Sequence, residues 1–321
     1  VTVSAASGGQ TGTEQNNNNN NNNKTSGLVT ATRLTSFYLL VVVPLLLLVV
    51  ECTFLLKYPV EGKLWQVWKC IFLWVPTTIV LSYLIFQGFA GSNPQRSFTT
   101  AERILTQFRV LIDYLEKIFF PRPQAFGLYF DDYQKSVSIF QPISTLLTFL
   151  ALTISLFCAF LLRYRFPVFA FAVLWYFGGH AIESTTIQLE LYFEHRNYLP
   201  LAGIAIALPY IVLVGRGQVF SKSIVAGGTI FLLILSSLTF TEVQLWSNPM
   251  RQAILWGMEK PGSMRARAVM ASMYDATGNR KAAYHEYMRM AEDFKDSAGP
   301  LSDVMLLLCQ KSTLPLLDLD V

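Results

Sequence analysis

The chain has 321 residues, a net charge of +4 and a mean hydropathy of +0.39, with 52% hydrophobic and 14% charged residues. Soluble domains carry roughly 25% charged residues, so the composition argues against an ordinary water-soluble globule. The small, dispersed positive charge offers no basic stripe to hold a nucleic acid.

Residues 1–35 are rich in Gly, Ser, Thr and Gln and include eight consecutive asparagines, Asn16 to Asn23. Such a segment cannot bury enough apolar surface to fold, and it is expected to be disordered or the edge of a fragment. Six apolar runs then reach or approach the ~20 residues that a helix needs to cross a bilayer. They are Ser36 to Leu56, Trp68 to Ala90, Pro142 to Leu162, Phe166 to Ile182, Tyr198 to Val214 and Ser223 to Thr241. The fourth and fifth are short and abut a charged link. The expectation is an all-α, polytopic membrane protein with a transmembrane domain over 36–246, an external loop at 91–141 and a helical tail over 247–321. The alternative, a large soluble helical core, would have to bury all six runs without lipid. Cys52, Cys70, Cys158 and Cys309 show neither metal-ligand spacing nor a disulfide framework.

Basic residues in short loops mark the cytoplasmic side. The link Lys57 to Val67 holds Lys57 and Lys63 against Glu61, Arg163 and Arg165 flank Tyr164 with no acid, and Gly215 to Lys222 holds Arg216 and Lys222 with none. These three links are therefore expected inside. Gly91 to Gln141, the link Glu183 to Asn197 and everything after Glu242 are expected outside, in a bacterial periplasm or an endomembrane lumen.

Within the external loop, Ile104, Phe108, Leu111, Ile112, Leu115, Ile118 and Phe119 recur at three- and four-residue steps. Glu102, Arg103, Asp113, Glu116 and Lys117 fall largely elsewhere, and Thr99 with Glu102 fits a capping box. The pattern predicts an amphipathic helix lying along the membrane surface, stopped by Pro121 and Pro123. An aromatic loop follows, whose paired acids Asp131 and Asp132 suit a divalent cation or a sugar hydroxyl, or else a solvated turn.

The link between the fourth and fifth runs carries His180, Glu183, Glu190, Glu194, His195 and Arg196. Ionisable groups at a bilayer boundary are costly to desolvate, so their clustering marks a candidate site. Arg196 offers a planar fork for a phosphate, His195 a second donor, and Glu183, Glu190 or Glu194 a proton acceptor. That set suits a lipid-phosphate headgroup; the alternative is internal pairing of Glu194 with Arg196 and a satisfied His180. Zinc does not fit, since the two histidines stand fifteen apart with no third nitrogen or thiolate nearby, and no resident cofactor or catalytic residue follows from the sequence. In the tail, Met264 to Gly278 and Lys281 to Phe294 read as paired helices. Tyr274, Gly278, Ala283 and Tyr287 stand at tetratricopeptide spacing. Gln252 to Glu259 and Pro300 to Cys309 read as helices of flanking repeats, and a generic helical hairpin is the alternative.

The run from Leu189 to Pro200, with its core Glu194-His195-Arg196-Asn197-Tyr198-Leu199-Pro200, resembles the family of transmembrane and tetratricopeptide-repeat proteins. The external helix and the loop Tyr129-Phe130-Asp131-Asp132-Tyr133 also look like that family's, and the likeness covers about Leu34 to Phe294. The resemblance implies a GT-C-type glycosyltransferase fold related to protein O-mannosyltransferases. It also implies a polyprenyl-phosphate sugar as donor and a polypeptide partner or acceptor held by the repeats. Glu183, Glu190, Glu194, His195, Arg196, Tyr198 and His180, with Asp131 and Asp132, are the expected substrate-binding residues. The family's catalytic carboxylates lie in a first external loop that has no counterpart here, so the chain is expected to be a C-terminal portion of a bacterial inner-membrane protein. A membrane-anchored repeat scaffold and a protein like an O-antigen ligase or polysaccharide polymerase are the other readings.

Overall fold

The computed structural model describes residues 42–55, 62–89, 98–122, 127–187, 189–213 and 222–309. The expectations for residues 1–35, for the parts of the basic links at 57–61 and 215–221, and for Pro123 lie outside these residues. Every regular element among them is helical, apart from an isolated bridge between Ser138 and Gln141. Among the described residues, three helices are long and apolar enough to cross a membrane, Lys63–Gly88, Ser144–Leu162 and Val225–Trp246, which marks this as a helical membrane protein.

The other three apolar runs form shorter helices among the described residues. Helix α1 covers Val42–Thr53. Helix α6 spans Pro167–His180, 14 residues, and α7 spans Tyr198–Leu213, 16 residues. At 1.5 Å per residue these last two reach about 21 and 24 Å, against roughly 30 Å of hydrocarbon. The end of α6 has a local cause. After His180 the backbone leaves the helix to make the charged link, whose carbonyls are satisfied by another helix.

Two compact units divide the chain, residues 1–86 and 87–321. In the first, α2 (Lys63–Lys69) runs through a π-helical turn, Cys70–Trp74, into α3 (Val75–Phe89). Pro76 stands just after that turn and removes a backbone N–H from the ladder, a usual setting for such a widened turn. Glu51 on α1 meets Lys69 Nζ at 2.7 Å. Pairing neutralises two charges that would be expensive alone in an apolar run.

The second unit is built on α4 (Thr100–Phe119), whose start carries the expected capping box. Thr99 Oγ1 accepts from the Glu102 N–H at 3.2 Å, and Glu102 Oε2 accepts from the Thr99 N–H at 2.7 Å. These bonds, with Lys135 Nζ at 3.0 Å, hold the Glu102 carboxyl below its ordinary range. A depressed carboxylate adds stability that is present above pH 4.5 and is lost as pH falls through its folded pKa. Wild type should therefore exceed Glu102→Gln by about 0.5 kcal/mol at neutral pH, with the gap closing below pH 4. Thermal unfolding of both proteins across pH 3–7 measures it.

Helix α5 (Ser144–Leu162) and α6 pack on the apolar face of α4. Phe108 meets Phe149 edge-on, and Leu111, Leu152 and Tyr176 form a shared core. The α6–α7 pair is closer still. A Cβ on Gly203 would fall 2.5 Å from Trp175, and one on Gly179 would fall 2.9 Å from Pro200. Only glycine permits that approach, the way helices pack where burial from water gives no driving force. On α5, Leu147, Ile154, Phe157 and Leu161 remain about 60% exposed at three- to seven-residue steps, the stripe lipid would cover.

Helix α8 (Lys222–Trp246) leads through Asn248 to four consecutively packed helices: α9 (Pro249–Glu259), α10 (Met264–Ala276), α11 (Arg280–Asp293) and α12 (Gly299–Cys309). Asn248, Ser263 and Asn279 cap α9, α10 and α11. Gly278 turns the chain at φ +84°, the left-handed region that favours glycine. Ala271 and Ala283 are fully buried beside Tyr287 and Met290, so small residues set the spacing between α10 and α11.

Candidate functional site

The amphipathic pattern of α4 hides a second buried face. Arg103, Thr106, Gln107, Val110 and Tyr114 are between 0% and 3% exposed, and most of them are polar. The sequence places Arg103 off the apolar face, toward water; the structure buries it under the charged link. Among its described residues the link has no helix or strand before Glu194, so its carbonyls need partners. Arg103 donates to four of them: Glu183 O at 2.5 Å, Thr185 O at 3.1 Å, Leu189 O at 2.5 Å and Glu190 O at 3.0 Å. Gln107 Nε2 donates to Leu191 O at 2.7 Å. The Tyr114 hydroxyl donates to Phe193 O at 2.8 Å and accepts from Phe193 N–H at 2.9 Å. Burial raises that phenol to about 12, so it keeps the proton the double role requires. The link thus runs alongside α4 in the same direction, fastened at each turn.

Most of the expected site residues are engaged within this frame. Glu194 pairs with Lys117 and accepts from the Gly127 N–H at 3.5 Å. Burial raises the Glu194 carboxyl against the pull of Lys117, and lowers the Lys117 ammonium against the pull of Glu194; for both ends, desolvation outweighs attraction. Arg196 Nη1 donates to Glu190 O at 2.6 Å, Arg196 Nε stands 3.8 Å from Glu183 Oε2, and the guanidinium lies over the Phe193 ring. The pairing of Glu194 with Arg196 weighed from the sequence is replaced by these two separate pairs. Burial raises the Glu183 carboxyl, with Arg196 and Arg103 opposing. Glu190 reaches outward to Arg265 Nη1 at 2.7 Å.

His180 is 2% exposed, stacked on Tyr114 and edge-on to Tyr176. Its Nδ1 lies 3.3 Å from Ser184 Oγ, and Asn197 stands beside the ring. Between Glu183 and Tyr198, His195 and Tyr198 are the expected site residues that are exposed; His195 rests edge-on against Phe193, and burial then Arg196 lower its imidazole. Asp131 and Asp132 are both exposed, and Asp131 accepts from Ser263 Oγ at 2.5 Å and from the Arg265 N–H at 3.3 Å. Among the described residues, no three His, Cys, Asp or Glu side chains stand together to hold a metal ion.

A groove of about 310 Å³ lies beside the link, with Lys117, Phe130, Tyr133, Tyr192 and Lys260 in its wall. The Tyr133 hydroxyl donates to Asp113 Oδ2 at 2.6 Å. Tyr192 is 4% exposed, packed against Phe130 and Tyr133, and its hydroxyl has no hydrogen-bond partner among the described residues. Sequence reasoning passed over Lys260 and Tyr192. The signal for half the groove was present: Asp113, Glu116, Lys117 and Phe120 share one face of α4 by their spacing. Lys260 ends a helix 140 residues further on, and no local pattern joins it to α4.

The tail is fastened to the same place. Besides Asp131 with Ser263 and Glu190 with Arg265, Tyr129 meets Trp256 edge-on and Lys260 lies over Phe130. Compared with protein-family models, with curated proteins and with solved structures, the chain finds no match.

Proposed function

We propose that this chain is part of a GT-C-like membrane glycosyltransferase that uses a polyprenyl-phosphate-linked sugar on the periplasmic side of a bacterial inner membrane. The reading rests on the Glu-His-Arg-Asn-Tyr-Leu-Pro resemblance. The observation that carries it in three dimensions is the joining of link, aromatic loop and tail through Glu190–Arg265 and Asp131–Ser263. A donor headgroup at the membrane surface and an acceptor on the helical tail would then meet in one compartment, as transfer requires. The six-span arrangement belongs to this reading, with α6 and α7 as short spans flanking the link, and so does the tail as tetratricopeptide-like repeats.

Transfer of labelled sugar from a polyprenyl-phosphate donor to protein, in membranes with and without the full-length protein, tests it. Transfer above background is expected, and Arg196→Ala should lower it at least about tenfold, because loss of Arg196 takes the paired cation from Glu183 and one of the two donors from the Glu190 carbonyl. No transfer by the intact protein would remove the enzyme reading, and equal transfer by Arg196→Ala would remove Arg196 from the site. Cysteine labelling that places Glu194 or α10 in the cytosol would remove the orientation. One observation favours a second reading, a membrane-anchored scaffold: Glu183, Glu190, Glu194 and Arg196 are all engaged internally. A stable envelope partner captured through Met264 to Leu308, with no transfer, would select it.

A further inference from the structure

Two grooves flank the last two turns of α4. Asp113, Glu116, Lys117 and Phe120 line the first, which holds about 310 Å³. Leu115 and Phe119 line the second, of about 280 Å³, whose remaining wall comes from Leu152 on α5, Val173 and Tyr176 on α6 and Ile204 on α7. The first is charged and aromatic, and the second is almost wholly apolar. They converge on Phe119 and Phe120, adjacent residues that end the helix and stay 45% and 68% exposed.

The charged groove has one ammonium outside any ion pair among the described residues. Lys117 Nζ and Lys260 Nζ approach the same Phe130 ring, 4.4 and 4.7 Å from its centroid. Three carboxylates stand around them, and each has an internal donor: Asp113 from Tyr133, Glu116 from Arg122, Glu194 from Lys117. Lys260 is half-buried and has no ion pair among the described residues. An ammonium has three donors and no acceptor; the Glu194 carboxylate acts on Lys260 from beyond pairing distance, so Lys260 can still receive an anion directly. The Arg122–Glu116 pair is exposed at both ends, and such pairs are worth little in water; Arg122 can turn to an incoming phosphate at small cost. The aromatic wall of Phe130, Tyr133 and Tyr192 offers ring faces of the kind a sugar packs against.

A ligand for both grooves must be an anion at one end and a hydrocarbon at the other. We propose that the two grooves take a single long-chain lipid monophosphate, its phosphate on Lys260 and Lys117 and its chain in the apolar groove beside Leu115 and Phe119. This deepens the donor reading above and rests on it, but it concerns binding alone. It also changes the residues that matter. The phosphate falls to Lys260 in place of Arg196, and the turn that begins the α9–α10 hairpin becomes part of the lipid site. The tail is then a wall of the donor pocket as well as a platform for an acceptor.

Binding of a polyprenyl monophosphate to the full chain in phosphatidylcholine nanodiscs, read by native mass spectrometry, tests this. Lys260→Ala should weaken binding about tenfold or more, and Lys260→Arg should restore most of it. Ala172→Phe, which fills the apolar groove, should weaken polyprenyl phosphate while leaving the weak binding of inorganic phosphate unchanged. Unfolding temperatures of the variants guard against loss of fold. Equal affinity of wild type and Lys260→Ala would overturn the proposal. So would equal binding of polyprenol without its phosphate, or of phosphatidic acid by wild type and Lys260→Ala alike. A chain that binds in this pattern but transfers no sugar leaves the lipid site standing and removes the transferase. Transfer that survives with Lys260 irrelevant to binding does the reverse.

Discussion

Arg103→Ala is expected to release the link over residues 183–191 and to destabilise the protein by roughly 3–5 kcal/mol. The estimate follows from the number of carbonyls left without a donor. Four accept from one guanidinium that is fully buried; Glu190 O keeps Arg196 Nη1, so three lose their donor, and each buried acceptor left unsatisfied costs about 1–3 kcal/mol. Water entering the vacated space recovers part of the total, which keeps the figure below the full sum. Arg103→Lys should fall between, because a point ammonium has three donors and no planar fork. Thermal unfolding in detergent gives the stability, and limited proteolysis gives the location, with new cleavage expected in the link before any other segment. A variant that unfolds within about 1 kcal/mol of wild type would mean that Arg103 does not organise the link.

The second large effect is expected in the tail. Arg267 donates from Nε to Glu286 Oε1 at 2.6 Å and from Nη1 to Asp293 Oδ2 at 2.5 Å, joining α10 to α11. Arg267 and Glu286 are 7% and 8% exposed. Arg267→Ala would leave the Glu286 carboxylate buried, with Arg289 at 3.9 Å as its remaining cation. Breaking a buried pair by removing one partner costs about 3–5 kcal/mol, whereas replacing both by apolar residues is often close to neutral. The double variant Arg267→Met with Glu286→Leu should therefore recover most of what Arg267→Ala loses. Chemical denaturation followed by tryptophan fluorescence separates the cases. Equal loss in the single and double variants would show that the α10–α11 contact depends on packing at Ala271 and Ala283 instead of on the charge pair.

The helices were legible because their ends are written locally. Thr99 and Glu102 start α4, and Pro121 follows its end at Phe119. Asn248, Ser263 and Asn279 start three tail helices, and Gly278 separates two of them. Helix α10 was expected over Met264 to Gly278 and covers Met264–Ala276; α12 was expected from Pro300 and begins at Gly299. The number of apolar runs was also plain, but not their helical lengths. Hydropathy alone does not register that the chain leaves the helix after His180 to meet donors on α4.

The candidate site was legible as a cluster and not as an arrangement. Its charged residues read as a phosphate site because sequence shows types and spacings. The partners that engage them, Lys117, Arg265 and Arg103, lie some 70 to 90 residues away in either direction. An amphipathic pattern assigns such polar residues to water by default. Arg103 shows how that default fails, since irregular backbone nearby gives a buried guanidinium more acceptors than solvent exposure would suggest. Lys260 escaped notice for the opposite reason. It ends a tail helix, where a lysine is expected, and its place beside Lys117 depends on the whole unit.

The start of α10 has a bearing on engineering. Ser263 caps its own helix through Ala266, while its hydroxyl and the Arg265 N–H are both held by Asp131 from the loop after α4. The first turn of that hairpin is therefore completed by a residue far upstream. A chimera that grafts a foreign repeat array after α8 would strip Asp131 of its donors and deprive Glu190 of Arg265. Transplanting the tail onto another anchor would remove part of the tail's own foundation. Any productive exchange has to carry residues 127–133 together with the tail helices, as one heritable piece.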